Sequence, residues 1–215
     1  MALGNNIKRR YVLQGLAALP LAAAPSVPSG PHVTVTGLKV FHVKVNRRGN
    51  WIVPRLETSA GLTGLGDASQ GMKDEAALRH LHAFFDLLKG RSIYDIEWFR
   101  NATAPEVRRS GRQSAVAASA LEHCLWDIRG KVFNVPTYEL FGGMIHPRIR
   151  NYANINRSTD PRTPEGFARM AESAVRAGFD AVKLAPFDEM PRGLSDGARI
   201  EEFTRQGIRC AEAVR

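Results

Sequence analysis

The chain has 215 residues, 44% hydrophobic and 24% charged, a balance that fits one or two globular domains and excludes fibrous and wholly disordered classes. Its formal net charge is +9, but Lys8, Arg9 and Arg10 stand together near the N-terminus and leave a modest excess elsewhere. The arginines at Arg47-Arg48, Arg108-Arg109-Arg112 and Arg148-Arg150 carry no zinc-finger, RNA-binding or helix-turn-helix spacing, so no nucleic-acid partner is expected, while small carboxylates remain compatible.

Residues 1–31 read as a leader. Lys8-Arg9-Arg10-Tyr11-Val12-Leu13-Gln14 is a twin-arginine-like basic region, followed by the weakly apolar Gly15 to Ala24 and a small-residue cleavage candidate at Ala22-x-Ala24. That run is too short to span a bilayer. The expectation is a periplasmic protein exported after folding, with no membrane association once the leader is removed. Cys124 and Cys210 are expected as free buried thiols rather than a bridge, and no C-x-x-C motif is present.

Residues 32–147 have the order strands then helices, an α+β pattern. Thr34 to Val45 reads as an alternating strand with Val35, Leu38, Val40, Val43 and Val45 among polar residues, Arg47-Arg48-Gly49-Asn50 as a turn, and Trp51 to Glu57 as the returning strand. A second reversal follows at Ser59-Ala60-Gly61. Asp74 to Lys89 has helical spacing, and Ile93 to Arg100 begins another helix. In Ser114 to Gly130, Ala117, Leu121, Cys124, Leu125 and Ile128 recur every three or four residues, so this helix buries one face and organises the domain. It should stop by Asn134, because Val135-Pro136 forces an extended turn ahead of Tyr138-Glu139-Leu140 and Gly142-Gly143.

From residue 148 the pattern becomes strand, helix, strand, helix, which argues for parallel β/α architecture. Arg150 to Asn156 and Phe179 to Leu184 read as strands. Pro164 to Ala177 reads as a helix capped by Thr163 with Phe167, Met170, Ala171, Ala174 and Val175 inward, and Ile200 to Val214 as a helix carrying Phe203, Ile208 and Ala211. Strand alternation turns Val182 and Leu184 toward the helices and Ala181, Lys183 and Ala185 into the barrel. Lys183 lies just before Pro186 and so projects at the C-terminal mouth, where barrel enzymes place their chemistry.

Gly130-Lys131, Val135-Pro136-Thr137-Tyr138 and Leu140-x-Gly142-Gly143, after a buried helix, resemble the junction of cap and barrel in the mandelate racemase and muconate lactonising branch of the enolase superfamily. Glu57-Thr58-x-x-Gly61-Leu62-x-Gly64-Leu65-Gly66-Asp67-Ala68 resembles that family's strand-turn-strand, with Asp67 where Glu is usual. The resemblance covers about Val33 to Arg215. It implies an α+β capping domain followed by the first two β/α units of an incomplete TIM-type (β/α) barrel.

The resemblance also implies Mg²⁺-dependent removal of the proton α to a carboxylate, with metal ligands and a later base on barrel strands outside this chain. Lys183 matches the first lysine of the family's Lys-x-Lys, and Ala185 replaces the second. Lys183 is therefore expected to position the substrate carboxylate or stabilise enediolate charge rather than act as base. Cap loops close over the family's site, making Arg48 and Trp51 candidates for substrate contact, against the alternatives of a solvated turn and a core aromatic. Asp188 and Glu189 read as solvated acids. The chain looks truncated, since 68 residues after Pro147 cannot close a barrel of about 250 residues, and alone it is expected to be inactive.

The expected reaction is dehydration of a sugar acid, with a racemase, epimerase or cycloisomerase close behind and a non-catalytic binding module as the alternative of another class. Expected partners are a small carboxylate substrate and either a homo-oligomer, if complete, or a complementing C-terminal chain.

Overall fold

The computed structural model describes residues 32–46, 49–69 and 73–215. The expected leader over 1–31 and the candidate Arg48 lie outside them.

Strand β1 (Val35–Asn46) pairs antiparallel with β2 (Gly49–Thr58), which pairs antiparallel with β3 (Thr63–Leu65), in the order β1-β2-β3. Gly49 and Asn50, expected in the turn, belong to β2, where Gly49 faces Asn46. The apolar residues read as alternating along β1 fall on two parities. Leu38 and Val40 face Leu56 and Pro54 on the side with the buried Ile52, whereas Val43 faces Trp51 on the opposite side. A strand has a period of two, so Val43 cannot share a face with Val40. Val43 and Val45 are accordingly 46% and 43% exposed. An irregularity between Val35 and Gly37 resets the phase and lets Val35 be fully buried.

Helices α1 (Asp74–Leu88), α2 (Ile96–Ser110) and α3 (Arg112–Phe133) follow. Helix α3 is the hub of the domain, packing against α1, α2, β2 and β3. Ala117, Ala120, Leu121, Cys124, Leu125 and Ile128 form its buried face, as the spacing predicts. Its end also falls where expected, with Asn134 left-handed at φ 53° and a 3-10 turn over Thr137–Phe141 after Pro136. Helix α2 differs from expectation, starting at Ile96 rather than Ile93 and continuing through Pro105.

Strand β3 lies directly on α3, and Gly64 within it and Gly66 just after it make that approach possible. A Cβ on Gly64 would come within 2.1 Å of the Cys124 carbonyl oxygen, and one on Gly66 within 2.0 Å of that of Ala120. The free edge of β3 is then satisfied by α3 side chains. The Leu65 N–H donates to Asp127 Oδ2 at 2.9 Å, and Lys131 Nζ donates to Thr63 O at 2.7 Å and to Asp127 at 2.8 Å.

The remainder forms two β/α units. Strand β4 (Ala153–Asn154) pairs in parallel with β5 (Val182–Lys183), with α4 (Pro164–Arg176) between them and α5 (Gly197–Glu212) after. Both strands are shorter than the sequence predicts, because each has a single neighbour and pairing ends where that neighbour diverges. Ile155, Phe167, Ala171, Ala174 and Cys210 make the core, with Val182 and Leu184 packed against it as alternation predicts. Val175, expected inward, is 67% exposed, and Ile208 on α5 is 46% exposed, since two strands cover only part of each helix. Thr163 Oγ1 accepts from the Gly166 N–H at 3.2 Å, and Asp196 caps α5 through the N–H groups of Ala198 and Arg199. Among the described residues no helix is long and apolar enough to cross a membrane.

Candidate functional site

A cleft of about 330 Å³ opens between the start of β2 and the turn after β4, lined by Asn50, Trp51, Asp67, Ser69, Asn154 and Arg157 among others. Its cap side is braced. Asn50 Nδ2 donates to Asp74 Oδ2 at 2.6 Å, and His42 Nε2 lies 2.8 Å from the same oxygen, tying the far end of the hairpin to the first turn of α1. The Asn50 amide, with smaller help from His42, holds the Asp74 carboxyl below its ordinary 3.8. The Ile52 N–H donates to Ser69 Oγ at 2.9 Å and the Ser69 N–H to Asp67 Oδ1 at 2.7 Å, so the segment after Gly66 runs beside β2 and presents Asp67 to the cleft.

Trp51 is 59% exposed and lines the cleft; it is not a core aromatic. Lys183 is exposed on the sheet face opposite α4 and α5, its Nζ 5.9 Å from the centroid of the Tyr152 ring. In the ladder it sits beside Asn154, which itself lines the cleft. Trp51 thus lines the cleft from the cap side, and Lys183 is one strand removed from its β/α wall.

The β/α wall is held by a buried clamp that the sequence did not reveal. The Arg162 side chain, 4% exposed, donates to Asn156 O at 2.6 Å, Asn156 Oδ1 at 2.9 Å and Ala185 O at 2.8 Å, and pairs with Glu189 at 2.7 Å. Asn156 Oδ1 also accepts from the Ala185 N–H, and its amide donates to Asp188 at 3.0 Å. The ends of β4 and β5 are therefore locked together just beyond Asn154 and Lys183. Asp188 and Glu189 are solvent-exposed, as expected, but each also anchors this clamp. The available signal was weak: a polar Asn156 at a strand end and an arginine immediately before the Thr163 cap.

Among the described residues no group of three or more His, Cys, Asp or Glu side chains converges that could hold a metal ion. These residues do not compose the Mg²⁺ site that the resemblance implies.

An antiparallel sheet and helical hub followed by parallel β/α units match a capping domain with the first units of a barrel. Residues 35–142, half of the chain, match the mandelate racemase / muconate lactonizing enzyme N-terminal domain, and the chain belongs to that family. It is 30% identical over 166 residues to a D-gluconate dehydratase from Thermoproteus tenax, covering 75% of this chain and 31% of the relative. It is 31% identical over 152 residues to a D-galactonate dehydratase from Ralstonia nicotianae, covering 69% and 38%. A crystal structure of a mandelate racemase/muconate lactonizing enzyme from Jannaschia sp. superposes with a TM-score of 0.66 at 27% identity, covering 85% of this chain and 50% of that one. The chain thus spans about a third of the length of these curated relatives.

Proposed function

We propose that this chain supplies the cap and first two β/α units of a sugar-acid dehydratase. The observation that carries the reading is its similarity, over more than two thirds of its length, to two dehydratases whose names specify sugar acids. The cleft lined by Trp51, Asp67, Asn154 and Arg157, with Lys183 one strand away, offers polar groups to such a ligand. Dehydration removes the proton α to the carboxylate, expels the β-hydroxyl as water and leaves an enol that converts to the 2-keto acid.

The Lys183 ammonium would orient the substrate carboxylate and offset the negative charge that grows on it as the proton leaves. With Ala185 in place of a second lysine, base duty falls to a residue outside these units, as do the carboxylates for Mg²⁺. Trp51 packs over the carbon chain and excludes water. The 215-residue chain alone is expected to bind without turnover.

Calorimetric titration of the chain with D-gluconate and D-galactonate tests this. Binding that weakens about tenfold or more in Lys183→Met supports it. Binding equal in the two proteins overturns the role of Lys183, and absence of binding overturns the substrate class.

A further inference from the structure

We propose that Arg157 holds a second substrate carboxylate, so that the cleft selects a dicarboxylic sugar acid over the matching monocarboxylic one. This rests on the sugar-acid reading above and goes further, since gluconate and galactonate carry one carboxylate each.

Strands β4 and β5 and the turn that follows β4 carry three cations: Arg157, Arg162 and Lys183. Arg162 is committed to Asn156, Ala185 and Glu189. Arg157 and Lys183 make no hydrogen bond or ion pair with any described residue. Arg157 is part of the cleft wall, and Lys183 is the ladder partner of the wall residue Asn154. Two unpaired cations, one in the wall and one a strand away, leave a monoanion with a surplus positive charge and match a dianion.

The spacing fits as well. Lys183 lies one interstrand distance, about 4.8 Å, from Asn154. Arg157 is three residues beyond Asn154, so its Cα is within about 11 Å of that residue. With two long side chains, these groups can grip both ends of a short sugar diacid. The planar guanidinium presents two parallel N–H donors, the geometry a carboxylate takes best.

Asp67 supplies the complementary half. It lines the same cleft, makes no ion pair with Arg157, and gives one oxygen to the Ser69 N–H. Its other oxygen would accept from a substrate hydroxyl. A ligand that carries hydroxyls between carboxylates satisfies both walls of the cleft.

Galactarate and D-galactonate share a six-carbon skeleton and differ at one end, so they separate the readings. Calorimetric titration of the 215-residue chain with each is expected to show galactarate binding about tenfold or more tightly. Arg157→Gln should remove that preference, the two acids then binding alike, and Arg157→Lys should restore part of it. Because Arg157 is exposed, circular dichroism melting of both variants should match the parent. If D-galactonate binds as tightly as galactarate, or if Arg157→Gln leaves the preference intact, the second-carboxylate assignment is overturned while the sugar-acid reading stands. If neither acid binds, both fall.

Discussion

The cap and the β/α segment use similar residues to opposite ends. In the cap, α1 and α3 pack on the sheet with α2 against both, α3 touches nearly every other element, and the β3 edge is occupied by Asp127 and Lys131. In the β/α segment two strands meet along two residue pairs, and helix positions as apolar as Val175 and Ile208 face solvent. A sheet covered by its own helices is specified locally, whereas a barrel strand is specified by the neighbour on each side. The cleft lies where the self-contained region meets the dependent one, and each side carries part of its chemistry.

The contrast breaks first at α3. Leu121→Ala removes a fully buried side chain from the hub and should cost about 2–5 kcal/mol, read as a fall in the urea midpoint of the far-UV signal. A loss below about 1 kcal/mol would mean the hub is not where cap stability resides. Gly66→Ala sets a methyl against the Ala120 carbonyl, a backbone atom that cannot swing aside, and is expected to cost about 1–3 kcal/mol in the same assay.

On the other side, Thr163→Ala should cost about 1 kcal/mol through loss of the α4 cap. Hydrogen exchange should show faster exchange at α4 and β4 with α3 unchanged; uniform acceleration would instead make the two regions one cooperative unit.

The smallest effect concerns pH. The folded Asp74 carboxyl titrates below its ordinary 3.8, chiefly through the Asn50 amide, so its contribution is complete above that value and is lost as pH falls through the depressed one. The melting temperature should therefore decline more steeply on acidification below about pH 4 in the parent than in Asp74→Asn. Parallel profiles would remove the Asn50–Asp74 tie as a brace of the hairpin.

Helix α3 was legible because a 3.6-residue period with apolar residues on one face leaves few alternatives, and Asn134 ends it in a left-handed conformation just before Val135-Pro136. The orientation of Lys183 was legible for the same kind of reason, a two-residue period around Val182 and Leu184. Periodicity failed at β1, where an irregularity shifts the phase and a run of valines disguises which are inward. It also overran at β4 and β5, which among the described residues pair only with each other. Arg157 and the Arg162 clamp lie in a turn, where direction follows from long-range contacts such as Arg162 to Ala185 and no repeat announces it.

Each region also carries its own chemical clock. Cys124 donates to the Pro54 carbonyl from the buried face of α3, and burial pushes its thiol up to about 12; Cys210 is buried in the β/α core and is raised for the same reason. At neutral pH a thiol titrating near 12 is thiolate in only about one molecule in 10⁵. Alkylating reagents can therefore modify either sulfur at a useful rate only after its surroundings part. Two single-cysteine variants would then time the opening of the cap and of the β/α segment separately, with no probe added to the protein.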